Sequence, residues 1–303
     1  MSKIKINQNV LILHLTILIW GFTGILGNLI SISAIHLVWY RVLIAAISLW
    51  IYLAVSKQQI LVKRKDFISF IMVGGVVGLH WVLFFYAIKV STVSVALVTL
   101  SSLTLYTSIL EPLINKKKIA LMDMLVGVVI IMGIYMIFQF ESNYIEGILA
   151  GLACAFCASI FSIANARMVK KSSATVITFY EMLGAFFWVS VFMLFSGDFN
   201  EKMVLNQSDL IYLLILGVLC TAVAYVLGVA VMKELSAFTV ALTTNLEPVY
   251  GILLAMLIFG QKETMSLGFY GGAAIVLGAV FFYPYLKTKI EKRKQDLVIR
   301  KIY

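Results

Sequence analysis

The sequence predicts an all-α integral membrane protein: ten transmembrane helices arranged as two inverted five-helix repeats. Three observations carry this. Hydrophobic residues fill 62% of the 303 positions against 13% charged, with a mean hydropathy of +1.02, which is more apolar surface than a soluble fold of this length can hide. Apolar runs of about 20 residues, long enough to cross ~30 Å of hydrocarbon as helix, recur almost without pause. The two halves of the chain also align with one another.

In chain order the runs lie near 10–31, 34–55, 67–90, 94–114, 122–140, 145–168, 174–196, 210–232, 236–260 and 267–286. The first follows Lys3 and Lys5 but is too long for a secretory signal and lacks a small-x-small cleavage site, so it is expected to stay as a span. Spans 3, 5 and 10 carry Gly74, Gly75 and Gly78, Gly127 and Gly133, and Gly268, Gly271, Gly272 and Gly278, small surfaces that let helices approach closely. Span 6 holds Cys154 and Cys157. With no second pair and no turn around them, they read as packing residues like Cys220, and no disulfide or metal site is expected. Continuous apolar runs exclude a β-barrel, whose strands would alternate.

Charge placement fixes an orientation. With the amino terminus taken as cytoplasmic, 20 of the 24 basic residues fall on the inner side, from Lys3 and Lys5 through Lys57, Lys63, Arg64, Lys65, Lys116 to Lys118, Arg167, Lys170, Lys171 and Lys233 to a basic tail beginning at Lys287. Acidic Glu141, Glu146, Asp198, Glu201, Asp209 and Glu263 fall on the other side. This is the bias of a multi-pass protein of an inner or plasma membrane with both termini cytoplasmic. The net charge of +10 is thereby read as topology and not as a nucleic-acid surface.

The repeat is visible in register. At an offset of 140, "WYRVLIA" falls on "FYEMLGA", which sets Arg41 against Glu181; at 145, "STVSVALVT" from Ser91 falls on "SAFTVALTT" from Ser236. The units are expected at residues 1–142 and 143–288, followed by a basic cytoplasmic tail at 289–303. Because five is odd, the second copy enters from the opposite side and the halves relate by a pseudo-two-fold axis in the membrane plane. Such a fold gives a carrier two near-equivalent conformations, one open to each side.

These features resemble the EamA-type members of the drug/metabolite transporter superfamily, over essentially the whole chain. The resemblance rests on "WGF" at Trp20 to Phe22, the Arg in "WYRVLIAA", "NLEPVYGILLAMLIFGQKET" at 245–264 and the Gly-rich "GFYGGAAIVLGAVFF", in that order. It implies a carrier, usually an exporter of amino acids or other small metabolites, with a central cavity between the halves. One departure stands out. Glu111-Pro112 and Glu247-Pro248 are not symmetry mates, since Glu247 falls on Ser102 at the 145 offset.

Candidate residues follow from the price of polarity in lipid, about 2.5–3.5 kcal/mol for a central charge on insertion scales. Glu247, the deepest charge, precedes Pro248, whose missing N–H frees an upstream carbonyl. A carboxylate there could bind an ammonium group or titrate, or simply hold the kink. Asn245 and Thr244 add polar groups, and His80 beside Trp81 could couple transport to protons or bond between helices. Trp20, Trp81, Tyr106 and Tyr250 fall on spans 1, 3, 4 and 9, which the resemblance places around the cavity, and they complete the substrate-binding set. Arg41, Glu181 and Pro248 are the coupling or gating candidates; Arg41 and Glu181 lie at opposite depths and are not expected to pair directly. His14 and His36 sit near span ends.

The expected partners are a small-molecule metabolite, the bilayer and, through His80 or Glu247, protons; no cofactor, metal or nucleic acid is expected. The expected activity is secondary active transport by alternating access, and not catalysis. A membrane-embedded enzyme acting on lipid-linked substrates is the alternative, disfavoured because polar groups are scattered over several depths and do not cluster at one interface.

Overall fold

A computed structural model describes residues 8–116, 119 and 121–302. The expectations resting on Lys3, Lys5, Lys117 and Lys118, and on the basic tail side chains other than Lys289, lie outside the described residues. The ten helices are α1 (Gln8–Leu29), α2 (Ala34–Val55), α3 (Arg64–Val90), α4 (Val93–Ile114), α5 (Leu121–Phe140), α6 (Ile145–Met168), α7 (Ala174–Ser196), α8 (Gln207–Val231), α9 (Ala237–Phe259) and α10 (Leu267–Ile302). Among the described residues eight are long and apolar enough to cross a membrane, and α5 and α10 add apolar stretches at Leu125–Phe140 and Leu267–Tyr283. The tenth helix does not stop near residue 286, as its apolar run suggests, but continues unbroken as helix through the charged tail.

Polar residues at the links start and stop these helices. Thr92, Ser173, Asn206 and Ser236 each accept from the backbone N–H of the residue three positions on, at the first turns of α4, α7, α8 and α9, where helical N–H groups otherwise lack partners. Gly197 ends α7 at φ 75°, the left-handed conformation that glycine adopts without strain. The outward faces carry exposed apolar side chains such as Leu15, Trp50, Ile51, Phe195 and Leu257, a surface suited to lipid and not to water.

Packing obeys the exchange of each helix with the one five places on. Helix α2 lies on α7 and α5 on α10, pairs that map onto themselves; α3 packs on α6 and α7 as α8 packs on α1 and α2. The charges of the repeat are seated in the same way. A Cβ on Gly74 of α3 would lie 2.3 Å from the Glu181 carbonyl oxygen, and one on Gly217 of α8 would lie 3.2 Å from the Arg41 carbonyl oxygen. Each charged residue therefore rests its backbone on a glycine face of the opposite half.

Helices α4 and α9 cross at the centre, and both are interrupted. Turns at Ser101–Ser102 and at Asn245 split them into Val93–Leu100 with Leu103–Ile114, and Ala237–Thr244 with Leu246–Phe259. In α9 the cause is the one read from the sequence, since Pro248 offers no N–H to the Thr244 carbonyl. In α4 the sequence gives no proline at the turn. There the hydroxyls of Thr99, Ser101 and Ser102 bond back to the carbonyls of Val95, Leu97 and Thr99, competing with the backbone ladder. Subtracting 145 from Asn245 gives Leu100, so the two turns are pseudo-symmetric within a residue or two.

The odd carboxylates of the sequence also find their place. Glu111, near the end of α4, accepts from the Phe238 N–H at the start of α9 at 3.0 Å. Glu263, just past the end of α9, accepts from the Val93 and Ser94 N–H groups at 3.0 Å and from Ser94 Oγ at 2.7 Å at the start of α4. The structural counterpart of Glu111 is thus Glu263, and Glu247 has no such mate.

Candidate functional site

The helices enclose a cavity with roughly 740 Å³ of empty space, open solvent at its mouth included. Its lining comes from α1, α2, α3, α4, α6, α8 and α9. Calling the end where α1 begins the near end, the cavity reaches Asn165, Met232 and Val240 close to it. Toward the far end it stops at Thr23, Arg41, Phe84 and Leu100, each about six or seven residues, roughly 10 Å, short of its helix terminus.

Bonds between the halves lie beyond that limit. Asp209 at the start of α8 accepts from Ser31 N at 2.7 Å and Ser31 Oγ at 2.6 Å, His36 bonds the Asp198 carbonyl at 2.7 Å, and Glu263 holds α4. Lys89 donates to the Ile30 carbonyl, closing the same end.

Arg41 forms the far wall. It is 1% exposed, and its guanidinium lies 4.0 Å from the Trp81 ring centroid and 5.4 Å from that of Phe85, an arrangement that replaces part of its lost hydration. Its Nε donates to Thr221 Oγ1 at 2.6 Å, and Thr221 donates in turn to the Leu216 carbonyl at 2.7 Å. That carbonyl lies five residues back because α8 makes a π-helical turn over Val218–Val223, a feature frequent at functional sites. Nη1 is buried and has no hydrogen-bond partner among the described residues.

Glu247 stands on the same cavity, 5% exposed. No hydrogen bond from the described residues reaches its carboxylate, and no ion pair within 4 Å joins it to Arg41, although each feels the other's charge. The apolar lining of the same cavity includes Trp20, Trp81, Phe84, Phe161 and Leu103.

His80 faces the cavity from α3, with Nδ1 3.0 Å from the Cys154 carbonyl and 3.1 Å from Cys154 Sγ. A nitrogen against a carbonyl oxygen carries the hydrogen, which leaves Nε2 as the acceptor in the neutral ring. Phe84 stacks on it at 17°.

Of the residues singled out from sequence, Trp20, Arg41, His80, Trp81, Thr244 and Glu247 are brought together on the cavity. The others lie off its lining. Asn245 turns its amide to Thr104 and to the Ala241 carbonyl. Tyr106 packs edge-on against Phe156, with centroids 5.4 Å apart. Tyr250 lies against Gly21 of α1, Pro248 is buried in α9, and Glu181 is fully buried behind Asn165 and Tyr225. Thr221 and Asn165 were missed. Asn165 sits two residues before Arg167 and reads as an interface residue. The position of Thr221 depends on a π turn that no sequence period announces.

A ten-helix fold with pseudo-symmetric halves around a central, largely apolar cavity that holds a few charged and polar groups defines a multi-pass membrane transporter. The EamA-like transporter family matches residues 8–139 and 145–283, and the chain belongs to that family, within the drug/metabolite transporter superfamily. An uncharacterized transporter of Bacillus subtilis, YdfC, is 25% identical over 286 residues, covering 92% of each chain. An uncharacterized transporter of Haemophilus influenzae is 25% identical over 284 residues, covering 88% of this chain and 91% of the relative. A solved crystal structure shares the fold at a TM-score of 0.68 and 16% identity, over 92% of this chain and 98% of the other.

Proposed function

We propose that this transporter exports a small zwitterionic metabolite, an amino acid or a similar compound, across the inner (plasma) membrane by secondary active, alternating-access transport. One observation carries the reading: Arg41 and Glu247 place groups of opposite charge on one largely apolar cavity, with no ion pair between them among the described residues and Arg41 Nη1 without a hydrogen-bond partner there. A planar guanidinium with a free N–H suits a substrate carboxylate, and a carboxylate without donors suits an ammonium group. Each charge is expensive to keep buried alone, so a ligand that bridges both is favoured over one that satisfies a single end.

In this reading both termini are cytoplasmic and the near end faces the cytoplasm, from which the cavity is loaded. Residues 1–142 and 143–288 are the halves that rock against each other, with the tail at 289–303 outside the motion. Trp20, Trp81 and His80 contact substrate beside Arg41, Glu247 and Thr244. Pro248 and Asn245 form the bend in α9 about which the site opens, and Tyr106 and Tyr250 reach substrate only in the opposite state.

The test is flux into sealed vesicles carrying the purified protein, run with a panel of amino acids and without ATP. Substrate-dependent counterflow that falls at least tenfold in Glu247→Gln is the expected result. Flux equal to that of protein-free vesicles across the panel would overturn the reading.

A further inference from the structure

One buried charge plays no part in substrate contact. Glu181 on α7 is 0% exposed and does not line the cavity. Its Oε2 accepts from Asn165 Nδ2 at 3.4 Å, and the same amide donates to Tyr225 Oη at 3.0 Å, so Asn165 bridges the carboxylate and the Tyr225 hydroxyl. Two atoms of this cluster are buried without a hydrogen-bond partner among the described residues: Glu181 Oε1 and Asn165 Oδ1.

The donor inventory explains why both are left over. An ionised carboxylate only accepts, and the amide oxygen of asparagine only accepts. With Glu181 ionised, the cluster holds more acceptors than donors, and buried acceptors without donors are costly. One proton on Glu181 Oε1 turns that oxygen from an acceptor into a donor and so reduces the excess of buried acceptors. It also removes a full charge from a site with no hydrogen bond to a basic side chain among the described residues.

The elements packed around the site supply no alternative. Helix α3 meets the Glu181 backbone with Gly74, and its titratable His80 is turned to Cys154. Helix α2 meets α7 through Trp39, which bonds Ser190, while its Arg41 is committed to Thr221 and Trp81. Helix α6 offers Asn165, and α8 offers Tyr225, a titratable side chain joined to the carboxylate through the Asn165 amide. Asn165 and Tyr225 are also cavity-lining residues near the end that the cavity reaches, so they form the wall between Glu181 and the substrate space.

We propose that Glu181, Asn165 and Tyr225 form a proton-binding site separate from the substrate contacts, and that its proton is exchanged for substrate during the transport cycle. The step is a simple protonation: Glu181 Oε1 takes a proton from water in the cavity, holds it behind Asn165 and Tyr225, and returns it to water when the wall residues move. Substrate and proton occupy opposite sides of that wall, so a movement of Asn165 and Tyr225 that admits one changes the bonding of the other. The flux part of the argument rests on the transport of amino acids proposed above; the protonation does not.

The experiment therefore has two arms on the full-length protein. In the first, infrared difference spectra of the purified protein between acid and alkaline pH are expected to show the carbonyl stretch of a buried protonated carboxyl, lost in Glu181→Gln and kept in Glu247→Gln. A band unchanged in Glu181→Gln overturns the site. In the second arm, wild-type vesicles are expected to gain up to about tenfold accumulation of an amino acid per pH unit of gradient, the equilibrium limit of one-to-one exchange. Glu181→Gln is expected to keep substrate-for-substrate exchange while losing the response to the gradient. Loss of exchange as well, or a retained response, overturns the coupling. Absence of any amino-acid flux in wild type would instead strike the substrate reading and leave the spectroscopic arm to decide Glu181.

Discussion

Asn245 donates to Thr104 Oγ1 at 2.6 Å, a bond that ties the interruption of α9 to the segment just beyond the interruption of α4. Thr104 Oγ1 lies 3.3 Å from the Ala241 carbonyl, to which the same Asn245 amide also donates at 2.9 Å. Where the backbone ladder is broken inside a membrane, side chains must satisfy the groups it releases. Here each half supplies part of what the other lacks.

Asn245→Ala should therefore act on stability more than on substrate affinity. Removing a buried partner leaves polar groups unpaired, which costs about 1–3 kcal/mol. In a cycle with Thr104→Val the two losses should overlap strongly, measured by thermal denaturation of the detergent-solubilised protein. Additive losses would mean that the bond carries no coupling between the halves.

The glycine seats make a graded prediction. At Gly74 the added methyl of alanine meets the Glu181 backbone at 2.3 Å, whereas at Gly217 its nearest obstacle is the Ile44 side chain at 2.6 Å, and at Gly278 nothing lies within 4 Å. A backbone cannot turn aside as a side chain can. Gly74→Ala should destabilise by several kcal/mol, Gly217→Ala by about 1–3, and Gly278→Ala should be neutral or stabilising by up to about 1 kcal/mol. Melting temperatures in that order support the packing, and an equal effect at all three refutes it.

What could be read beforehand follows from what lipid enforces. Ten apolar runs, the charge bias and the duplicated register are properties of single segments, so the fold and the deep positions of Arg41, His80 and Glu247 were legible. Pairings across helices were not. Glu111 resembles Glu247 in its local Glu-Pro context, yet it shares with Glu263 the task of capping a facing helix, a likeness that exists only after α4 and α9 cross. Tyr106 and Tyr250 lie on cavity-lining helices but on other faces of them, and no single-sequence signal distinguishes the faces of a helix that is apolar all round.

Glu263 and Glu111 should hold opposite ends of the bundle shut. Glu263 makes three bonds to the start of α4 at the far end, and Glu111 makes one to α9 at the near end, matching a cavity that stops short of the far end. Glu263→Gln weakens the charge-assisted bonds to those helical N–H groups. Labelling of a cysteine at Phe84 by a membrane-impermeant maleimide added at the far side should then rise severalfold over the otherwise unchanged protein. Labelling that stays the same would show that Glu263 is no latch.

Thr221 should act through Arg41 and not on substrate directly. The π turn of α8 leaves the Leu216 carbonyl to be satisfied by the Thr221 hydroxyl, and the same oxygen accepts Arg41 Nε at 2.6 Å. With Nε fixed there and Cζ 4.0 Å from the Trp81 ring centroid, the guanidinium is held at two points, and this sets the position of Nη1. Thr221→Val preserves shape and removes the acceptor, so Arg41 remains charged but loses its aim. Transport KM for an amino acid should rise about tenfold, equivalent to ~1.4 kcal/mol, with the maximal rate little changed, and Thr221→Ser should restore it. Arg41→Lys keeps the charge but loses both the planar stack and the Nε bond, so its KM should rise at least as far, with no further loss when combined with Thr221→Val. A Thr221→Val protein whose maximal rate collapses while KM holds would place Thr221 in the conformational change and not in the aiming of Arg41.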